Sequence, residues 1–367
     1  DLPPYYQIKD FQETYGNFTD STKLSPGMIE KIDGYTLHVL PHTKLFGYMR
    51  MVGLWNKLRL IRPDIVQCQS SIGWIPLDAA LAKPFFSYKL FTENHMHASV
   101  FPLANRKVSF WNKERLRCIT KRFIPGRFVS FFTQKCYGIT TDCADIAVRF
   151  FGVQKSKIDV CLLGVCTEIF KPISGNEDLR MRTELRKHFG FSNNEIVCIY
   201  TGRFSEDKNP LALARAVTNL RKMGEPFCGL FVGNGTQSEA IHNCPGCVVH
   251  PFVPFQELGD FYRSSDIGVW PTQESTSMLD AAACGLPIVV NDTMVAIERI
   301  KGNGITYKLN DVNDLVRALH SLRNPQERIL LGSYGAKKMM HKFSWESMAK
   351  RRLADYKAAL NSRKNKQ

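Results

Sequence analysis

No apolar run in this chain approaches the ~18 residues that a membrane-crossing helix needs, and no basic leader followed by an apolar core and a cleavage site is visible. The expectation is a soluble protein, cytoplasmic, or one resting on the cytoplasmic face of a membrane. Acid is in short supply: 34 Asp and Glu stand against 49 Lys and Arg, for a net charge of +15, so the surface should attract polyanions, nucleotides or anionic lipid. A disulfide framework is also missing. The eleven cysteines are an odd, scattered set, which fits a reducing compartment and buried small apolar side chains. Cys244 and Cys247 in "NCPGC" have half of a zinc-site spacing, but no second CxxC or nearby His pair completes it. A turn on Pro245 and Gly246 is the favoured reading there. Repeats and low-complexity segments are absent, which excludes solenoid and fibrous classes. A starting methionine is lacking too, and the turn-rich "DLPPYYQIKD" reads as an internal start.

At 367 residues the chain exceeds what one core usually organises, and two domains are expected. Strand-like runs at 35–40, 65–69, 89–93, 137–141 and 157–163 alternate with helix-compatible stretches, the pattern of parallel β-α units. A second series follows at 195–202, 227–233, 247–253, 267–272 and 286–292. The punctuation by Pro172, Ser174 and Gly175 places the break between the series, giving domains 1–171 and 172–345 and a terminal amphipathic helix over 346–367 that returns toward the first domain.

Two stretches of the second series carry chemistry. In "IYTGRFSEDKNP" a β-branched strand runs into Gly202 and Arg203, with Lys208 five residues on and Pro210 at a helix start. Doubly wound sheets bind anions at such a junction, and an Arg fork with a Lys point charge suits a diphosphate. A solvated loop with ordinary surface cations is the plainer alternative. In "TQESTSMLDAAACGLPIVV" the residues Ser275, Thr276 and Ser277 precede a helix, with Glu274 before them and Asp280 within it. Those amides and hydroxyls would make a second anion cradle, and the carboxylates suit sugar hydroxyls. Helix capping and the helix dipole are the competing reading.

Taken in order, these motifs resemble the retaining glycosyltransferases of family 4, the glycosyl transferases group 1. The resemblance rests on "GRFSEDKN", "LFVGNGTQSE", "FYRSSDIGVWPTQES", "LDAAACGLPIVV", "KIDVCLLGVCTEIFKP" and "FSWESMAKRRLADY", and it covers nearly the whole chain from about residue 35. It implies an α/β fold of the GT-B class, two Rossmann-like domains facing across a cleft. It also implies a metal-independent hexosyltransferase that takes a UDP- or GDP-linked sugar as co-substrate, needs no further cofactor, and retains the anomeric configuration. Arg203 and Lys208 would hold the diphosphate. Glu274 would meet the donor sugar and Asp280 the ribose. Gly202, Gly233, Gly235, Val253, Ser275, Thr276, Ser277 and Met278 would complete the donor site, and no metal ligands are expected. The two acids stand six apart where the family pattern has eight, and Asp replaces Glu. In "FTENHMHASV" the family's histidine facing the reacting sugar falls on His95, with His97 the second choice and no carboxylate placed to make a metal site of the pair. The family's opening strand, glycine-rich loop and helix have no counterpart ahead of "DLPPYY". The chain is accordingly either a fragment lacking that first β-α unit or one whose first domain is reduced.

One further stretch stands apart. From Phe101 to Thr140 nine basic residues face one acid, Glu114, with Phe110, Trp111, Phe123, Phe128, Phe131 and Phe132 interleaved. An anionic membrane surface is the favoured partner over nucleic acid, and core packing is the plainer account of the rings. The acceptor is expected to be a hydroxyl, with a lipid-linked or polysaccharide precursor as candidates. A nucleotide-sugar 2-epimerase and a basic nucleic-acid-binding protein are the rival functions.

Overall fold

In the computed structural model, residues 26–32, 34–105, 111–272 and 274–364 are described. Arg106, Lys107 and Phe110 of the basic stretch, the opening "DLPPYY" and the last three residues lie outside them. The chain divides into two compact units. One runs from Leu163 to Ser347; the other holds the described residues up to Leu162 together with the chain from Met348 onward.

Fourteen strands are present among the described residues. In the second unit they are β1 (Ile29–Ile32), β2 (Tyr35–His38), β3 (His42–Leu45), β4 (Tyr48–Met51), β5 (Ile65–Cys68), β6 (Lys89–Asn94), β7 (Thr133–Gly138) and β8 (Ile158–Val160). The first unit holds β9 (Ile196–Thr201), β10 (Phe227–Val232), β11 (Cys247–His250), β12 (Ile267–Trp270), β13 (Ile288–Asn291) and β14 (Gly304–Tyr307). Strands β5 to β8 form a parallel sheet in sequence order. The six-stranded sheet has the order β11-β10-β9-β12-β13-β14, parallel throughout. Its strands read as unbroken apolar runs because helices cover both faces, and every residue of β9, β10, β12 and β13 is buried.

The run at 35–40 departs from expectation. It is no parallel strand; β2 pairs antiparallel with β1, and β3 with β4 forms a second hairpin. Phe46 and Gly47 link β3 to β4 with φ of 51° and 88°, the two left-handed positions that a tight two-residue hairpin turn demands. Alternation over so short a run cannot distinguish a hairpin arm from a strand of a β-α unit, because the partner is not written in it. Strand β14 has no counterpart among the expected runs; "GITY" is too short for a period to show.

The segment after Leu162 packs with the first unit because Val165 bridges Ser344: the Val165 amide donates to Phe343 O at 2.6 Å and the Trp345 amide to Val165 O at 3.2 Å. The helix Trp345–Lys364 continues into the second unit, where Met348, Tyr356 and Ala359 pack on Phe91, Tyr137 and Cys161. Arg352 reaches the buried carboxylate of Glu93, and Asp355 accepts from Lys135 at 2.7 Å and from Tyr137 at 2.9 Å. All eleven cysteines are free. The Cys244–Cys247 segment closes as a turn, the Cys247 amide donating to Cys244 O at 3.1 Å, with Gly246 at φ 79°.

Candidate functional site

Strand β9 is followed by β10 and β11 on one side, and β12 then returns to its other side, so the connection reverses between β9 and β12. In open parallel sheets that reversal opens a crevice at the carboxyl ends of the two strands, where neither loop covers the other and ligands bind. The two stretches singled out from the sequence are the loops that leave these strands, Gly202–Asn209 and Pro271–Thr276.

After β9 the chain turns sharply. The Gly202 amide donates to Val232 O at 3.0 Å and the Phe204 amide to Asn234 O at 2.8 Å, tying this loop to the one after β10. Gly233, at φ 153°, lies against Gly202 so closely that a Cβ would sit 1.9 Å from Gly202 O; Gly235, at φ 152°, would meet Phe204 O at 2.7 Å. The two glycines are thus required by backbone packing, which positions the loop that carries the cations. The amides of Lys208 and Asn209 donate to Ser205 O at 3.1 and 2.8 Å, and the helix Pro210–Lys222 starts there with proline at its first turn. Its Leu211 amide is capped by Gln237 Oε1 at 3.1 Å. Its buried face (Leu213, Ala214, Val217, Leu220) recurs at helical spacing.

Arg203 is exposed, and Lys208 is half-buried with Nζ 3.3 Å from Glu274 O. That bond links the loop after β9 to the loop after β12. Burial first, and then the like charge of Arg203, hold Lys208 below the usual lysine range, with Asp207 and Glu274 acting the other way. Two cations close enough to repel, in a partly desolvated loop, favour a multivalent anion between them. Asp207, which the sequence reading passed over, is the local counter-charge. Burial raises its pKa, but the Ser205 hydroxyl and both cations outweigh that and hold it low. Its place directly before Lys208 was the available signal.

The loop after β12 is pinned from beneath: Asn291 Nδ2 donates to Thr272 O at 2.6 Å and Tyr307 OH to Pro271 O at 2.7 Å. Beyond it the amide cradle takes a different form from the one expected. Ser277 N donates to Ser275 Oγ at 3.3 Å, the two hydroxyls lie 2.6 Å apart, and Ser275 N points at the Met278 sulfur at 3.4 Å. The amides of Ser275 and Ser277 thus turn back on their own chain, because short hydroxyl side chains compete for local backbone donors. Glu274 Oε1 accepts from the amides of Val295 and Ala296, each at 3.1 Å, so this acid also latches the loop after β13, a contact no sequence spacing announced.

Asp280 lies one turn into the helix Ser277–Ala283. Burial pushes its carboxyl up to about 7. Beside it the Tyr262 hydroxyl is 2.7 Å from Thr201 Oγ1, and burial together with the Asp280 charge drives that phenol well above its ordinary value. A carboxyl raised by desolvation alone is suited to accept hydrogen bonds from ligand hydroxyls. Met278 is buried beneath this turn, and Val253 is half-buried in the loop after β11.

His95 and His97 belong to the second unit, just past β6. His95 is exposed, its Nε2 2.7 Å from Glu93 Oε2. His97 Nδ1 lies 3.3 Å from Asp142 Oδ2. Burial lowers His97, but its hydrogen bonds to Asp142 and Cys143 and their charges prevail and raise it to about 9; Asp142 is held well below the usual carboxylate range. The expectation was that no carboxylate is placed to make a metal site of the two histidines; the fold brings Asp142 to His97. His97, Asp142 and Cys143 bring ligand atoms within 4.8 Å of one another, an arrangement made by the fold from residues far apart in sequence. Asp142 is already engaged there, accepting from the Ala98 amide at 2.8 Å and from the Thr140 hydroxyl.

The sheet order is that of an α/β protein with Rossmann-like domains, and the likeness to solved structures shows the fold to be of the GT-B class. Residues 195–324 match the family model "Glycosyl transferases group 1". A D-inositol 3-phosphate glycosyltransferase of Xylanimonas cellulosilytica is 28% identical over 246 residues, 61% of this chain and 57% of that protein. The chain spans about half the length of the curated relatives it matches. Among solved structures, a sucrose-phosphate synthase of Thermosynechococcus elongatus aligns with a TM-score of 0.65 at 14% identity, covering 92% of this chain and 86% of its own. The Anabaena protein HepE in complex with UDP aligns at 0.66 and 12%, covering 83% and 81%.

Proposed function

We propose that this protein transfers a sugar from a UDP- or GDP-linked donor to a hydroxyl acceptor with retention of configuration. The observation that supports this reading is the bond from Lys208 Nζ to Glu274 O across the β9/β12 reversal, which joins the loop carrying the cation pair to the loop carrying Glu274. Arg203 and Lys208 hold the diphosphate and stabilise the charge that grows on it as the sugar–oxygen bond breaks, the charge a divalent cation would otherwise meet. Asp280 accepts from the ribose hydroxyls. Glu274 faces the donor sugar through the carboxylate edge not occupied by Val295 and Ala296. His95 remains the first choice to face the reacting sugar, with His97 the second. A 2-epimerase would need additional acid-base residues around the sugar; the other acids of these two loops are Asp207, held by the Ser205 hydroxyl and both cations, and the exposed Glu206.

The test is incubation with a panel of nucleotide sugars, with and without a chelator, scored for nucleoside diphosphate release and for the anomer formed. Arg203→Ala or Lys208→Ala should lower turnover by on the order of 10² to 10³. Turnover close to the parent's in both variants would remove the diphosphate assignment. An inverted product would remove retention.

A further inference from the structure

In a parallel sheet all strands start at one edge, so the residues leading into β5, β6, β7 and β8 are neighbours whatever their sequence separation. At this amino edge of the second unit those residues are large, apolar and exposed: Leu60 by 75% and Ile61 by 54% before β5, Phe85 by 73% before β6, and Phe131 by 70% before β7. Contacts join them. Phe85 lies 5.7 Å from the half-exposed Trp55 ring, and Phe132 lies 5.1 and 5.2 Å from the rings of Phe128 and Phe131. Lys83, two residues before Phe85, sits 5.9 Å over Phe132 and donates to its carbonyl, bridging the two groups.

The helical run Lys113–Phe132 shows the same character on the side away from the core. From Arg117 onward its exposed positions Arg117, Lys121, Ile124, Arg127, Phe128 and Phe131 recur every three to four residues, and the exposed acid of the run, Glu114, stands one turn before them. Beside this run a cavity of about 440 Å³ is walled by Phe123, Ile124, Arg127, Phe128 and Phe131. The hairpin β3–β4 and the helix Leu54–Ile61, which flank the same region, come from a segment (35–63) that has no Asp or Glu at all. Lys157, leading into β8, caps the helix end by donating to Ser130 O and Phe131 O at 2.7 and 2.9 Å. Lys83, Lys157 and Arg127 are close enough that each lysine is lowered by a neighbouring cation as well as by burial. Among the described residues that lead directly into these four strands, Asp64 is the acid.

We propose that the amino edge of the β5–β8 sheet is a docking surface for an anionic lipid bilayer. Cations beside exposed rings meet lipid phosphates, while Ile124, Phe128, Phe131, Phe85 and Ile61 enter the acyl boundary, the division of labour of interfacial proteins. Nucleic acid would match the cations and could stack on the rings, but it offers nothing to the exposed aliphatic side chains. The inference goes beyond the proposed transfer reaction and does not depend on it, since no nucleotide takes part in docking.

The test is co-flotation of the full chain with vesicles of phosphatidylcholine alone and of phosphatidylcholine mixed with phosphatidylglycerol, across a salt series. The expected result is binding to the mixed vesicles only, weakening as salt rises. Arg127→Glu should reduce it by roughly fivefold or more, and the pair Phe85→Ser with Phe131→Ser by about tenfold or more. These side chains are exposed, so the variants should unfold at the parent's temperature, and that measurement separates lost docking from lost fold. Equal binding to both vesicle types, or variants that float like the parent, would overturn the proposal. So would a chain that ignores both vesicles but retains polyuridylate, or one that forms a dimer broken by the same substitutions.

Discussion

Asp280→Asn should stabilise the protein at neutral pH and weaken its hold on nucleotide, two effects of opposite sign from one buried carboxyl. The folded pKa of Asp280 is raised from 3.8 to about 7 by burial. Below pH 3.8 the group is protonated folded and unfolded, and nothing differs. As pH rises toward 7 the unfolded chain releases its proton while the folded chain keeps it, so stability is lost steadily; above 7 the loss is complete. At about 1.36 kcal/mol per unit this amounts to on the order of 4 kcal/mol. Asparagine carries no such cost, so the stability of the variant relative to the parent should climb by up to about 4 kcal/mol between pH 4 and pH 8 in urea unfolding series. Affinity for UDP or GDP, measured by calorimetry, should fall by roughly 1.5 to 3 kcal/mol, the range for a hydrogen bond to a charged group. A parent-to-variant difference in stability that is the same at both pH values would refute the burial argument. Unchanged nucleotide affinity would leave Asp280 a buried acid with no part in ligand binding.

Gly233→Ala should cost about 3 kcal/mol or more in chemical denaturation, because it places a Cβ 1.9 Å from Gly202 O at φ 153°; a loss below 1 kcal/mol or so would show that the two loops can part freely. The His97 pair should stabilise the fold fully below about pH 6.5 and lose up to about 3 kcal/mol as pH rises toward 9, since the folded pKa is the raised one. Asp142→Asn should abolish that slope, and an unchanged profile would count against the ion pair. Glu274→Gln should lower the rate of transfer while leaving nucleoside diphosphate affinity nearly as it was, because its latch to Val295 and Ala296 survives in the amide oxygen. Equal loss of both quantities would move this acid from the sugar to the nucleotide.

What the sequence determined by itself was local and periodic. The buried strands β9, β10, β12 and β13 were visible as apolar runs because both faces of a parallel sheet are covered. Gly202, Arg203 and Lys208 stood out because a strand end, a glycine and a helix-starting proline fall within a few residues of one another. The α/β alternation was legible in the order of the apolar runs, and the GT-B class came from the resemblance of several motifs to a known family. Partnership was not legible. Whether 35–40 would pair parallel or antiparallel depended on Ile29–Ile32, and the reversal between β9 and β12 that makes a crevice of two loops is a property of strand order. Charge environments were hidden for the same reason. Asp280 reads as an ordinary helix acid until the fold buries it beside Tyr262, and His97 as one half of His-x-His until Asp142 arrives from 45 residues away. The exposed edge of Leu60, Phe85 and Phe131 is the clearest case, for its members are apolar residues any reader would assign to a core. Hydrophobicity is written residue by residue, but which side of a residue is covered is decided only when distant segments pack.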